Sequence, residues 1–63
     1  MLTGEALKRA RERKGLRQSE LAEMLYVDPS LVSKWEKGQR KVSLEAFAKI
    51  KEVLEIDINE REV

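Results

Sequence analysis

The 63 residues predict an all-α fold, a compact bundle of four or five short helices. Three observations carry that expectation. Apolar residues recur at the i, i+3, i+4, i+7 spacing of helical faces. N-capping residues and breakers alternate along the chain at intervals of one short helix. Almost no sequence is left over for strands.

The elements follow in order. Between Thr3 and Gly15, the positions Leu7, Ala10, Arg11 and Lys14 mark one helical face, with Thr3 placed to cap and Gly15 to end the helix. A second helix is expected from about Gln18 to Leu25, presenting Leu21, Ala22 and Leu25. Asp28-Pro29 is a strong start signal for a third. Aspartate accepts from orphan amides, and proline's fixed φ suits the first helical position, where its missing N–H costs nothing. This helix should run to about Lys37 and stop at Gly38. Ser43 then caps a fourth, whose Leu44, Phe47, Ile50 and Leu54 repeat at helical spacing, and Asp57 opens a short fifth.

A chain this short is expected to form one domain over residues 1–63, near the lower limit for folding alone. It has no cysteine and no histidine, so disulfides, thiolate or imidazole metal sites and histidine catalysis all drop out. No cofactor and no metal are expected. The apolar runs fall far short of the roughly 20 residues needed to cross a bilayer, and the first residues do not read as a signal peptide, so the expected compartment is the cytoplasm. The net charge of +1 hides an asymmetry: residues 1–41 carry ten Lys/Arg against six acids, whereas residues 42–63 carry three against six. One end of the molecule is suited to a polyanion, although a charged, solvated surface alone would explain the same numbers.

The third helix sharpens the choice. At about 100° per residue, Ser30, Ser33, Lys34 and Lys37 share an arc of roughly 100°, opposite Leu31, Val32, Trp35 and Glu36. Two small hydroxyls keep that face thin enough to approach base edges, and two lysines reach guanine acceptors or phosphate oxygens. A solvated face is the ordinary alternative. What favours nucleic acid is the neighbourhood. A short helix, a tight turn between Leu25 and Pro29 and a second short helix make a helix-turn-helix connection over about residues 18–37. The basic loop Lys37-Gly38-Gln39-Arg40-Lys41 follows at once, and Gln18 stands at the amino end of the second helix, where free amides favour phosphate.

The run Gln18-Ser19-Glu20-Leu21-Ala22-Glu23, then Val27, then Val32-Ser33-Lys34-Trp35-Glu36-Lys37-Gly38 resembles the phage-repressor type of helix-turn-helix, the lambda-repressor-like DNA-binding domain. The resemblance covers about residues 4–58. It implies sequence-specific binding of double-stranded DNA by a transcriptional regulator, with repression the expected mode. The third helix would enter the major groove, usually in a dimer on a two-fold symmetric operator. Carried over by position, the base-reading places fall on Pro29, Ser30 and Lys34, with Ser33 close by. The phosphate-binding places fall on Gln18, Lys37, Gln39, Arg40 and Lys41, and Arg17 joins them. Proline cannot hydrogen-bond, so readout at Pro29 would be apolar contact, for instance with a thymine methyl. A weak homodimer is expected, with half-sites about 34–36 Å apart. Ile56-Asp57-Ile58 resembles the start of the fifth helix, which in the family often supplies dimer contacts.

Other residues read as structural. Arg11 and Glu36 carry opposite charges on two inward faces and suggest a partner pair, which the resemblance also implies. Trp35 lies beside Val32 and belongs in the core, and Leu31 is either core edge or brushes a methyl group in the groove. Tyr26 and Glu55 stand where the family usually has glycine, because the chain there turns through positive φ. Either those turns are rebuilt or strain is tolerated. Lys51 replaces a small apolar residue, so either the fourth helix is rotated or the lysine stem snorkels. An enzyme is not expected, since 63 residues without histidine or cysteine rarely enclose a catalytic pocket. Two further readings remain open: an antitoxin that represses its own operon while holding a protein partner, and an interaction module that has lost DNA binding and grips its partner with the acidic Glu52–Glu62 end.

Overall fold

The computed structural model describes residues 2–55, which form four helices in the order α1 (Gly4–Arg13), α2 (Gln18–Leu25), α3 (Pro29–Glu36) and α4 (Leu44–Leu54). The expected fifth helix from Asp57 lies outside the described residues. Three of the four start on a side-chain cap that satisfies a first-turn amide. Thr3 Oγ1 accepts from the Ala6 N–H at 3.1 Å, an Asp28 carboxylate oxygen from Ser30 at 2.8 Å, and Ser43 Oγ from Ala46 at 3.1 Å. At the start of α2 the Glu20 carboxylate instead reaches back to the Arg17 N–H at 2.8 Å.

Every helix ends on a left-handed residue. Gly15 (φ 73°) and Gly38 (φ 74°) are the two glycines at these stops, while Tyr26 (φ 58°) and Glu55 (φ 53°) adopt the same conformation with a side chain attached. Glycine-type geometry is thus kept at Tyr26 and Glu55 and the strain is tolerated. After α1, α2 and α3 the residue beyond the left-handed one bonds back onto the last turn in the Schellman pattern: Leu16 to Arg11, Val27 to Ala22 and Gln39 to Lys34, each by N–H to carbonyl oxygen.

The core is built from all four helices and the segment before α1. Leu2, Leu7, Ala10, Leu21, Ala22, Leu25, Val32, Trp35, Ile50 and Leu54 are buried, and Leu16, Val27, Leu31 and Phe47 pack partly against them. Helix α2 packs on both α3 and α4, and α1 packs on α3. Where α1 meets the end of α3 the backbones nearly touch: a Cβ on Gly4 would collide with the carbonyl groups of Trp35 and Glu36.

Two expectations are corrected, and one left open is decided. Leu44 is not core but 84% exposed, because at position one of α4 it lies about 90° from the centre of the Phe47, Ile50 and Leu54 arc. Lys14 caps α1 in the open and pairs with Glu55 across the gap to the end of α4. Lys51 is half-buried through its stem with its ammonium 5.6 Å from the centroid of the Phe47 ring, so the helix needs no rotation to house it.

Candidate nucleic-acid interface

The α2–α3 unit is a tight one. Tyr26, Val27 and Asp28 make the connection, with Tyr26 turning the chain back and Asp28 capping the next helix. Helix α3 then hangs on two buried side chains, Val32 (0% exposed) and Trp35 (4%), with Leu31 half-buried beside them. Burying that arc turns the opposite one outward. Pro29, Ser30, Lys34 and Lys37 are exposed, and Ser33 is half-buried at the edge. The side chains available to a ligand in front of α3 are therefore short at its start and cationic toward its end.

Hydrogen bonding to Ser30, first through its backbone and then its side chain, holds the Asp28 carboxyl below its ordinary value, and Lys34 adds to the effect. Asp28 stays ionised at neutral pH at the positive end of α3, which reinforces the cap.

Beyond α3, the loop through Gly38 carries Lys37, Gln39, Arg40 and Lys41, all exposed. Arg40 and Lys41 also line a shallow cavity with Leu2, Thr3, Gly4, Trp35, Gly38 and Val42. The loop thus lies against the amino end of α1. Arg17, the residue ahead of α2, is exposed.

Gln18 is different. It is half-buried, and its Nε2 donates to Glu36 Oε1 at 3.0 Å. Glu36 is in turn held by Arg11, whose Nε donates to Oε2 at 2.6 Å and Nη2 to Oε1 at 3.0 Å, while Nη1 donates to the Leu16 carbonyl at 2.7 Å. Burial pushes the Glu36 carboxyl up, but hydrogen bonds from Arg11 and Gln18, with the attraction of Arg11 and Lys8, outweigh it and leave it below its ordinary value. The Arg11 guanidinium is raised, first by its bond to Glu36. Nothing in the linear spacing of Gln18 and Glu36 signals their bond. It depends on the angle at which α2 crosses α3, which only the packed core decides.

Among the described residues no cluster of acids could hold a metal ion, and no described helix is long and apolar enough to cross a membrane.

The chain matches the helix-turn-helix family over residues 7–61 and belongs to that family. It is also 38% identical, over 56 residues, to the HTH-type transcriptional activator BcrR of Enterococcus faecalis. That match covers 89% of this chain and 28% of the relative, so the chain spans little more than a quarter of the relative's length.

Proposed function

We propose that this helix-turn-helix chain regulates transcription by binding double-stranded DNA in a sequence-specific way, with α3 in the major groove. Family membership and likeness to a transcriptional regulator support DNA-binding regulation in general. The observation that carries the finer reading is the division of α3: Val32 and Trp35 inside, Pro29, Ser30, Lys34 and Lys37 outside, with the cationic loop directly beyond. The major groove admits an α-helix, and the short side chains of Ser30 and Ser33 let the start of α3 approach base edges closely.

In this reading Pro29, Ser30, Ser33 and Lys34 face base edges, with Lys34 carrying most of the discrimination through guanine acceptors. Arg17, Gln18, Lys37, Gln39, Arg40 and Lys41 hold the phosphate backbone and set register. The Arg11–Glu36 pair keeps α1 and α3 together behind them. The protein acts by binding alone, without a catalytic step, and works in the cytoplasm as a weak homodimer on a two-fold symmetric operator. Repression follows wherever that operator overlaps a promoter, because the bound protein excludes polymerase.

Selection of bound sequences from random duplex DNA, followed by affinity measurements over a range of salt, tests the proposal. Affinity should fall steeply with salt, by about one logarithmic slope unit for each phosphate-neutralising cation. Lys34→Ala should flatten the selected base preference. Arg40→Ala should weaken all sequences alike and reduce the salt slope by about one. Salt-independent association, or identical effects of both substitutions on every sequence, would count against the assignment and favour a protein partner.

A further inference from the structure

We propose that Glu36 is a positioning residue for the phosphate grip as well as a structural anion: its Oε1 fixes the Gln18 amide at the amino end of α2 before DNA arrives. This rests on the reading of the chain as a duplex-DNA binder. The carboxylate is divided between two tasks. Oε2 takes the Arg11 Nε at 2.6 Å, while Oε1 accepts from both Arg11 Nη2 and Gln18 Nε2, each at 3.0 Å.

The donor identity at Gln18 is set by chemistry, since a carboxylate oxygen paired with Arg11 accepts and only the amide nitrogen can donate to it. One of the two amide hydrogens is thereby used, and the other remains for a phosphate oxygen. Beside it, the first-turn backbone N–H groups of α2 have no intrahelical partner and favour the same anion.

The restraint has a purpose in binding. A glutamine side chain has several rotatable bonds, and ordering it at the moment of association costs affinity. Gln18 held on Glu36 has already been ordered by folding. The bidentate Arg11 pair cancels the Glu36 charge, so the anchor adds little repulsion toward the DNA.

Duplex binding read by fluorescence anisotropy, on a mixed-sequence DNA of about three helical turns at low salt, tests this. Gln18→Met, similar in shape but unable to hydrogen-bond, should weaken binding about three- to tenfold. The double variant Arg11→Met/Glu36→Met removes the anchor while replacing the buried pair with apolar side chains, a kind of change that is often neutral or stabilising in other proteins. With folding verified by circular dichroism, it should lose affinity to a similar extent. Adding Gln18→Met to it should then cost almost nothing more.

Parent-like affinity in the folded double variant, or an equal loss from Gln18→Met in both backgrounds, overturns the proposal. Should the double variant fail to fold, the parent decides by NMR. The Gln18 side-chain amide must be as ordered as the backbone and must shift as Glu36 titrates; a freely moving amide that ignores the titration overturns it. A parent that shows no salt-dependent duplex binding removes the functional reading itself, whereas a parent that binds DNA but is indifferent to Gln18→Met removes only this inference.

Discussion

At the residue scale, Glu36 concentrates the most consequence in the fewest atoms. Its side chain is 4% exposed and that of Arg11 10%, so each ion has given up most of its water and depends on the other. Removing one partner of such a pair typically costs about 3–5 kcal/mol, because the remaining charge stays buried without compensation. A domain of this size has a total stability of only about 5 kcal/mol. Glu36→Ala is therefore expected to be largely unfolded at room temperature, as read by circular dichroism, and a cooperative melt within a few degrees of the parent would contradict that. The surface pair Glu5–Arg9, with both side chains about two-thirds exposed or more, should contribute only a few tenths of a kcal/mol.

Gly4 is a second residue with an outsized role. It permits contact between the start of α1 and the last carbonyls of α3, and backbone cannot step aside as a side-chain tip can. Gly4→Ala should cost roughly 1–3 kcal/mol by forcing the two helices apart, measured as a lowered urea midpoint. Placed early in a helix, the same substitution would otherwise stabilise, so the sign of the effect tests the close approach.

At the scale of the element, the helix ends are the most informative. Gly15 and Gly38 adopt positive φ freely, but Tyr26 and Glu55 do so at a cost of about 1 kcal/mol. Tyr26 is 91% exposed and has no packing to lose. Tyr26→Gly should therefore raise stability by about 1 kcal/mol, a gain of roughly 4–8 °C in melting temperature; a lowered melting temperature would mean that the side chain makes contacts of its own. The opposite end of the turn gives a complementary test. Asp28→Ala removes the cap of α3 and should cost about 1 kcal/mol, with amide exchange accelerated first in residues 30–32.

At the scale of the molecule, acid sensitivity follows from the depressed carboxyls. Glu36, Asp28 and Glu55 all lie below their ordinary values, Glu55 through its bond to Lys14. Each binds a proton more readily unfolded than folded. The stability they contribute is complete above the ordinary value, near 4.5 for glutamate and 3.8 for aspartate, and is lost as pH falls through the folded values. With no histidine in the chain, no side chain ordinarily titrates between pH 5 and 8. Urea midpoints should be nearly flat across that range and drop below about pH 4.5. A midpoint that rises on acidification would contradict the carboxyl directions.

The four helices and their caps were legible from local rules because each is settled within one or two turns. Capping by Thr3, Asp28 and Ser43 is a bond between residues two or three apart, and the breakers Gly15 and Gly38 act where they stand. The outward arc of α3 was legible for a similar reason, since the period of a helix converts spacing into direction. Legibility failed at Leu44, where an apolar residue in a plausible register fell outside the arc once the helix began at that position. It failed again at Leu2, a buried residue outside any helix, whose burial depends on α1 closing over the end of α3.

The amino-acid sequence thus determined by itself where the helices start, where two of them stop, and which side of α3 is polar, since those properties depend on neighbours within a few bonds or a single turn. Only the tertiary structure decided that Gly4 must lack a side chain, that Tyr26 and Glu55 keep a left-handed turn, and that Gln18 joins the expected Arg11 partner on Glu36. Those facts depend on distances between helices, and such distances come from the packing of a shared core.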